Sequence, residues 1–152
     1  QVRRLADATF DLSEYVVDIA KKEGLADGMK FLPGSIAVHL ACHARAQNMG
    51  AKAAELLRQL PGAEITIVER CSGHGGSWGI KSENFPVALK VGAAAAQRTA
   101  DAGASFVVSE CPLAGKHIVQ GMEKIDGALD NLESAKAFHP IELMARAYGA
   151  AE

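Results

Sequence analysis

Short β-branched runs alternate with longer segments rich in Ala and Leu along this chain. Residues 35–42 (SIAVHLAC) are short, apolar and follow the breaker Pro33-Gly34, which predicts a strand. Residues 49–60 place Ala53, Leu56, Leu57 and Leu60 on one stripe before Pro61-Gly62, which predicts a helix and its stop. Residues 64–69 (EITIVE) form the second predicted strand and residues 105–110 (SFVVSE) the third. Between them lie a glycine-rich turn over 72–79 and a long helix over about 82–102. Ser82 or Asn84 is its cap, Pro86 falls in its first turn and Gly103 ends it. A helix over 113–125 follows, then a polar loop over 126–134. A short fourth strand is placed over 135–138 and a last helix over 141–148. Upstream, residues 11–22 are amphipathic, with Leu12, Tyr15, Val16 and Ile19 on one face.

Strands alternating with helices build βαβ units, so the fold class expected is α/β: a three-layer, Rossmann-like arrangement. Its parallel sheet has three to four strands, with helices on both faces. In such sheets ligands gather beyond the carboxyl ends of the strands.

The chain has 152 residues, which suits one domain. We place that domain over residues 11–152 and read residues 1–10 as a linker or terminal segment. Because the sequence starts at Gln1 and carries no export signal, we expect a fragment of a longer protein. Sixteen Lys and Arg against eighteen Asp and Glu leave a net charge of −2 with both signs interspersed, which speaks against nucleic acid as a partner. No apolar stretch reaches the roughly 18–20 residues needed to span a bilayer. Three cysteines are too few for a disulfide framework and their number is odd. A cytoplasmic setting is therefore expected, where cysteines more often serve metals or catalysis.

Each cysteine stands where the chain leaves a strand: Cys42 at the end of the first, Cys71 after the second, Cys111 after the third. Each has a histidine downstream, His43, His74 and His117 respectively. A parallel sheet can gather such groups at one edge, and thiolate with imidazole suits zinc or iron–sulfur chemistry. Taken singly, cysteine is also among the most buried residue types, and a small residue at a strand end needs no function. His39 inside the first strand reads as a packing residue, His139 before Pro140 as a cap or turn residue, and Trp78 as packing. The loop Cys71-Ser72-Gly73-His74-Gly75-Gly76 lacks the spacing of nucleotide-binding turns but can form a backbone nest for an anion or cluster.

Taken together, Cys42-His43 behind an apolar strand, Cys71-Ser72-Gly73-His74-Gly75-Gly76-Ser77-Trp78-Gly79 with Lys81-Ser82-Glu83-Asn84, Ser109-Glu110-Cys111 and His139-Pro140-Ile141-Glu142-Leu143 resemble the cysteine-rich CCG domain. That domain occurs in the B subunit of heterodisulfide reductase and in iron–sulfur subunits of anaerobic glycerol-3-phosphate dehydrogenase. The resemblance implies a cluster held by five cysteines. Cys42, Cys71 and Cys111 match three of them, while Ser72 and Ala114 stand where the other two belong.

The resemblance therefore implies an electron-transfer domain of an iron–sulfur oxidoreductase, with Cys42, Cys71 and Cys111 holding a 4Fe–4S cluster. Zinc is the alternative cofactor, with His74, then His43, then His117 as the fourth ligand. Expected partners are a ferredoxin-like iron–sulfur domain and a flavoprotein or quinone-linked protein, through which the chain would be membrane-associated. Two other readings stay open: a degenerate zinc-binding or metal-free docking domain, and a thiol enzyme with Cys71 as nucleophile and His74 as base.

Overall fold

The computed structural model describes residues 1–150, so the last two positions of the domain placed over 11–152 lie outside the described residues. Four strands form one sheet: β1 (Ser35–His39), β2 (Glu64–Val68), β3 (Phe106–Ser109) and β4 (Ala137–Phe138). Their order is β2-β1-β3-β4 and every neighbouring pair is parallel. This is the α/β fold the alternation predicts, with the short fourth strand included.

The period of two divides the strand residues between two cores. Ile36, Val38, Phe106, Val108 and Phe138 face one layer of helices, α2 (Leu12–Lys22), α4 (Lys52–Leu57) and α7 (Pro140–Ala147). Val17, Leu56, Leu57, Leu143 and Met144 complete that core. On the opposite face Val107 packs with Ala95 and Ala96 of α5 (Phe85–Asp101) and with Ile118, Val119 and Met122 of α6 (Pro112–Met122). Burying a Leu, Ile or Phe side chain stabilises by about 1.5–3 kcal/mol, so both layers hold the sheet from either side. Helices cover both faces of the central strands β1 and β3, which leaves their carboxyl ends open to the loops, while the edge strand β2 keeps Thr66 and Ile67 exposed.

Several boundaries differ from the periodicity. β1 stops at His39, and Cys42 opens a short helix, α3 (Cys42–Ala46), instead of closing the strand. The helix expected over 49–60 shrinks to α4, because Gly50 sits at φ +79° and residues beyond Leu57 turn. The segment read as a linker contains a helix, α1 (Val2–Asp7), which buries none of its residues. Trp78, read as packing, is 44% exposed. His139 does cap α7, its Nδ1 accepting the Ile141 N–H at 3.3 Å.

Candidate metal centre

All three cysteines follow the carboxyl ends of adjacent strands. Cys42 is the first residue of α3 and exposed, Cys71 is exposed at the head of the loop from β2 to α5, and Cys111 is the half-buried N-cap of α6. Of these three strands, β1 runs between the other two.

The loop after β2 is folded tightly against α5. Its Gly73 has φ +82°, and a Cβ there would stand 2.2 Å from the Ala88 carbonyl oxygen. A Cβ on Gly92 would in turn stand 2.2 Å from the Ser72 carbonyl oxygen. Two glycines thus let loop backbone and helix backbone touch. Held this way, the Gly73 N–H donates to Cys71 Sγ at 3.4 Å. The buried Ser72 hydroxyl meets His74 Nδ1 at 3.0 Å, and His74 Nε2 lies 3.8 Å from Cys111 Sγ. So the imidazole of the second loop faces the thiol of the third, and among the thiols it is Cys111, not Cys71, that His74 contacts.

Burial holds His74 below the ordinary histidine pKa, and the nearby His117 adds to this. A neutral ring carries one N–H. With that proton on Nδ1, it donates to Ser72 Oγ and the Nε2 lone pair points toward the Cys111 side, the arrangement a metal-binding imidazole uses.

The other predicted residues are placed differently. His43 Nε2 lies 3.7 Å from Asp11 Oδ2, at the cap of α2. His117 is buried edge-on to Phe85, ring centroids 5.5 Å apart, and its Nε2 has no partner. Cys42 makes no hydrogen bond to these groups among the described residues. No three His, Cys, Asp or Glu side chains among the described residues stand in an arrangement that would hold a metal ion. The thiols of Cys71 and Cys111 and the imidazole of His74 are soft donors of the kind zinc or a cluster takes, but their positions supply one close pair, His74 with Cys111, and Cys71 stands on the same loop as His74.

Three further residues border this centre. His39 and Ser109, both buried, bond to each other and to the backbone of the cysteine loops. Glu110 is 6% exposed, and neither of its oxygens has a partner in hydrogen-bond geometry. Burial raises its pKa above the usual carboxylate range, with Asp11 pushing the same way and Ser13, His43 and the Ala53 amide opposing. The one signal in the sequence was the interruption of an apolar run by a polar residue, as His39 interrupts SIAVHLAC.

A parallel α/β sheet with thiols and an imidazole beyond its carboxyl edge defines an α/β domain of the Rossmann-like type. Residues 36–118 match the family model of the CCG cysteine-rich domain, and the chain belongs to that family. It is 31% identical over 126 residues to the C subunit of anaerobic glycerol-3-phosphate dehydrogenase from Escherichia coli (strain K12), covering 82% of this chain and 29% of that protein. It is 28% identical over 144 residues to the B subunit of the CoM/CoB fumarate reductase from Methanothermobacter marburgensis, covering 91% of this chain and 27% of that one. Over 86 residues it is 33% identical to lactate utilization protein A of Geobacillus sp. (strain WCH70), covering 53% of this chain and 34% of that one. The chain therefore spans about a third or less of the relatives it matches. No solved structure matches it.

Proposed function

We propose that this chain is an electron-transfer module of a larger oxidoreductase, with Cys42, Cys71 and Cys111 holding a metal centre, a 4Fe–4S cluster first among the options. The observation that carries the reading is the 3.8 Å approach of His74 Nε2 to Cys111 Sγ, which joins the loops of β2 and β3 at the edge where ligands bind. Two of the matched relatives are named as subunits of a dehydrogenase and a reductase, which supports a redox role.

When bound, a cluster of this kind supplies one-electron transfer. The chain's own residues do the rest. Gly73 N–H donates to Cys71 Sγ, and such bonds to sulfur adjust a cluster's potential. Ser72, where the family pattern has a second cysteine, meets His74 Nδ1 at 3.0 Å and would orient the imidazole to stand in for a thiolate donor. Ala114, where the last cysteine of that pattern would be, is buried in the first turn of α6 and offers no ligand. His43 and His117 are reserve donors. A five-thiolate cluster is therefore not part of the proposal.

The partners proposed are a ferredoxin-like iron–sulfur domain as one neighbour and a flavoprotein or quinone-linked protein as the other, in the cytoplasm and membrane-associated through them. No helix among the described residues is long and apolar enough to cross a membrane.

The exposed position of Cys42 leaves one other reading, a zinc-binding or metal-free docking domain. Anaerobic purification and reconstitution with iron and sulfide, followed by elemental analysis and visible absorption, separates the two. Iron with sulfide and a brown colour supports the electron-transfer module. Zinc alone, or no metal after reconstitution, supports the docking domain.

A further inference from the structure

We propose that His39 is a positioning residue, whose imidazole ties the loop carrying Cys71 to the loop carrying Cys111. His39 is the last residue of β1 and stands in register with Val68 of β2 and Ser109 of β3. It is 1% exposed, and both ring nitrogens are engaged. Nε2 lies 2.9 Å from the carbonyl oxygen of Arg70, the residue before Cys71. A carbonyl only accepts, so Nε2 carries the proton.

Nδ1 is then the acceptor, and it takes the Ser109 hydroxyl at 3.1 Å. The Ser109 oxygen in turn accepts the backbone N–H of Cys111 at 3.3 Å. The direction of the whole chain follows: Cys111 N–H to Ser109 Oγ, Ser109 O–H to His39 Nδ1, His39 Nε2–H to Arg70 C=O. It holds for neutral His39 alone, since a second ring proton would face the Ser109 hydroxyl as donor against donor. Burial disfavours that second proton.

The chain of bonds crosses the carboxyl edge of three strands and ends on the residue before one thiol and on the amide of another. A packing histidine needs volume only. This one meets specific polar partners on both sides, and its loss takes the acceptor from the buried Ser109 hydroxyl and the donor from the Arg70 carbonyl. Its consequence for metal affinity rests on the metal-centre reading, whereas the geometry is testable on metal-free protein.

The test compares wild type with His39→Leu, His39→Gln and Ser109→Ala. Two quantities are read: exchange of the Cys111 amide proton in metal-free protein, and metal affinity after anaerobic reconstitution with iron and sulfide or with zinc. We expect His39→Leu and Ser109→Ala each to speed Cys111 amide exchange about tenfold, the effect of one lost hydrogen bond. Each should weaken metal affinity by about 10–100-fold, as outer hydrogen-bond partners do. His39→Gln, whose amide can still donate to Arg70 C=O, should recover part of both losses. If His39→Leu does not fold, Ser109→Ala decides alone, because it removes one hydroxyl and leaves the core volume nearly unchanged. Exchange and affinity within twofold of wild type in Ser109→Ala overturn the proposal. If wild type itself takes up no metal, the metal-centre reading fails and the exchange rates alone decide the role of His39.

Discussion

His74 and Cys111 are 37 residues apart in the chain, yet Nε2 of one lies 3.8 Å from Sγ of the other. The contact depends on a stack of causes. Gly73 and Gly92 let the loop press on α5, Ser72 then grips Nδ1 of His74, and the ring swings toward the N-cap of α6. Each link can be broken separately.

Removing the sulfur at either end should remove the metal. Cys71→Ser and Cys111→Ser are expected to lose occupancy after anaerobic reconstitution, read as metal per protein by elemental analysis. His74→Ala should lose occupancy as well if the imidazole binds the metal directly. A partial loss of affinity, about 10–100-fold, would mark it as an outer partner.

Ser72→Ala deletes the hydroxyl that meets His74 Nδ1 while leaving every thiol in place. We expect metal affinity to fall by about 10–100-fold with no change in the number of metal atoms at saturation. A variant that binds as tightly as wild type would show that His74 needs no orientation.

Gly73→Ala puts a methyl group against the Ala88 carbonyl oxygen at a backbone angle of φ +82°. Backbone cannot yield as a flexible side chain does, so a loss of about 1–3 kcal/mol is expected from the urea midpoint. Gly76→Ala is the control, because φ there is +62° but nothing lies within 4 Å of the added carbon. It carries the backbone strain alone, so the larger loss should belong to Gly73→Ala.

His39 should make stability depend on pH in a definite direction. Burial, helped by the charges of His74 and Arg45, lowers its folded pKa below the ordinary 6.5, while the bond to Arg70 opposes. Between the lowered and the ordinary value the unfolded chain binds more protons than the folded one, so stability rises with pH in that window. The contribution is fully present above about 6.5 and is lost as pH falls through the folded value. His39→Gln cannot titrate. The stability gap between wild type and this variant, measured by urea unfolding of metal-free protein, should therefore narrow as pH falls below that point. His139, also held low by burial and not among the charges that act on His39, titrates in both proteins and cancels in the difference.

In the core, Leu56→Ala should cost about 2–5 kcal/mol, since Leu56 is fully buried where α4 meets the sheet. Val2→Ala on α1, which buries nothing, should fall within about ±0.5 kcal/mol. Thermal or urea unfolding of the two variants checks both values.

Much of this architecture is written locally. Runs such as EITIV and FVVS are short and β-branched, and Pro33-Gly34, Pro61-Gly62 and Gly103 punctuate them, so the strands and their alternation with helices are legible residue by residue. The placement of Cys42, Cys71 and Cys111 after successive strands is equally local. What the sequence misplaced are ends. Cys42 moved from strand to helix because a two-residue link, Leu40 and the extended N-cap Ala41, suffices to start α3. The mid-strand polar residue His39 was visible as an oddity, but its partners Arg70 and Ser109 are 31 and 70 residues away, beyond any local pattern.

The sequence by itself determined the class of fold, the family and the sheet edge at which the three cysteines stand, because periodicity, turn residues and local motifs act over neighbouring positions. Only the tertiary structure decided which histidine meets which thiol. His74 turns to Cys111, His43 turns to Asp11, and His117 is buried against Phe85. It also decided that a strand histidine and a strand serine bridge two loops. Such pairings depend on the lateral order of the strands and on where Gly73 meets Gly92, which are set by packing across the sheet and not by any segment of chain alone.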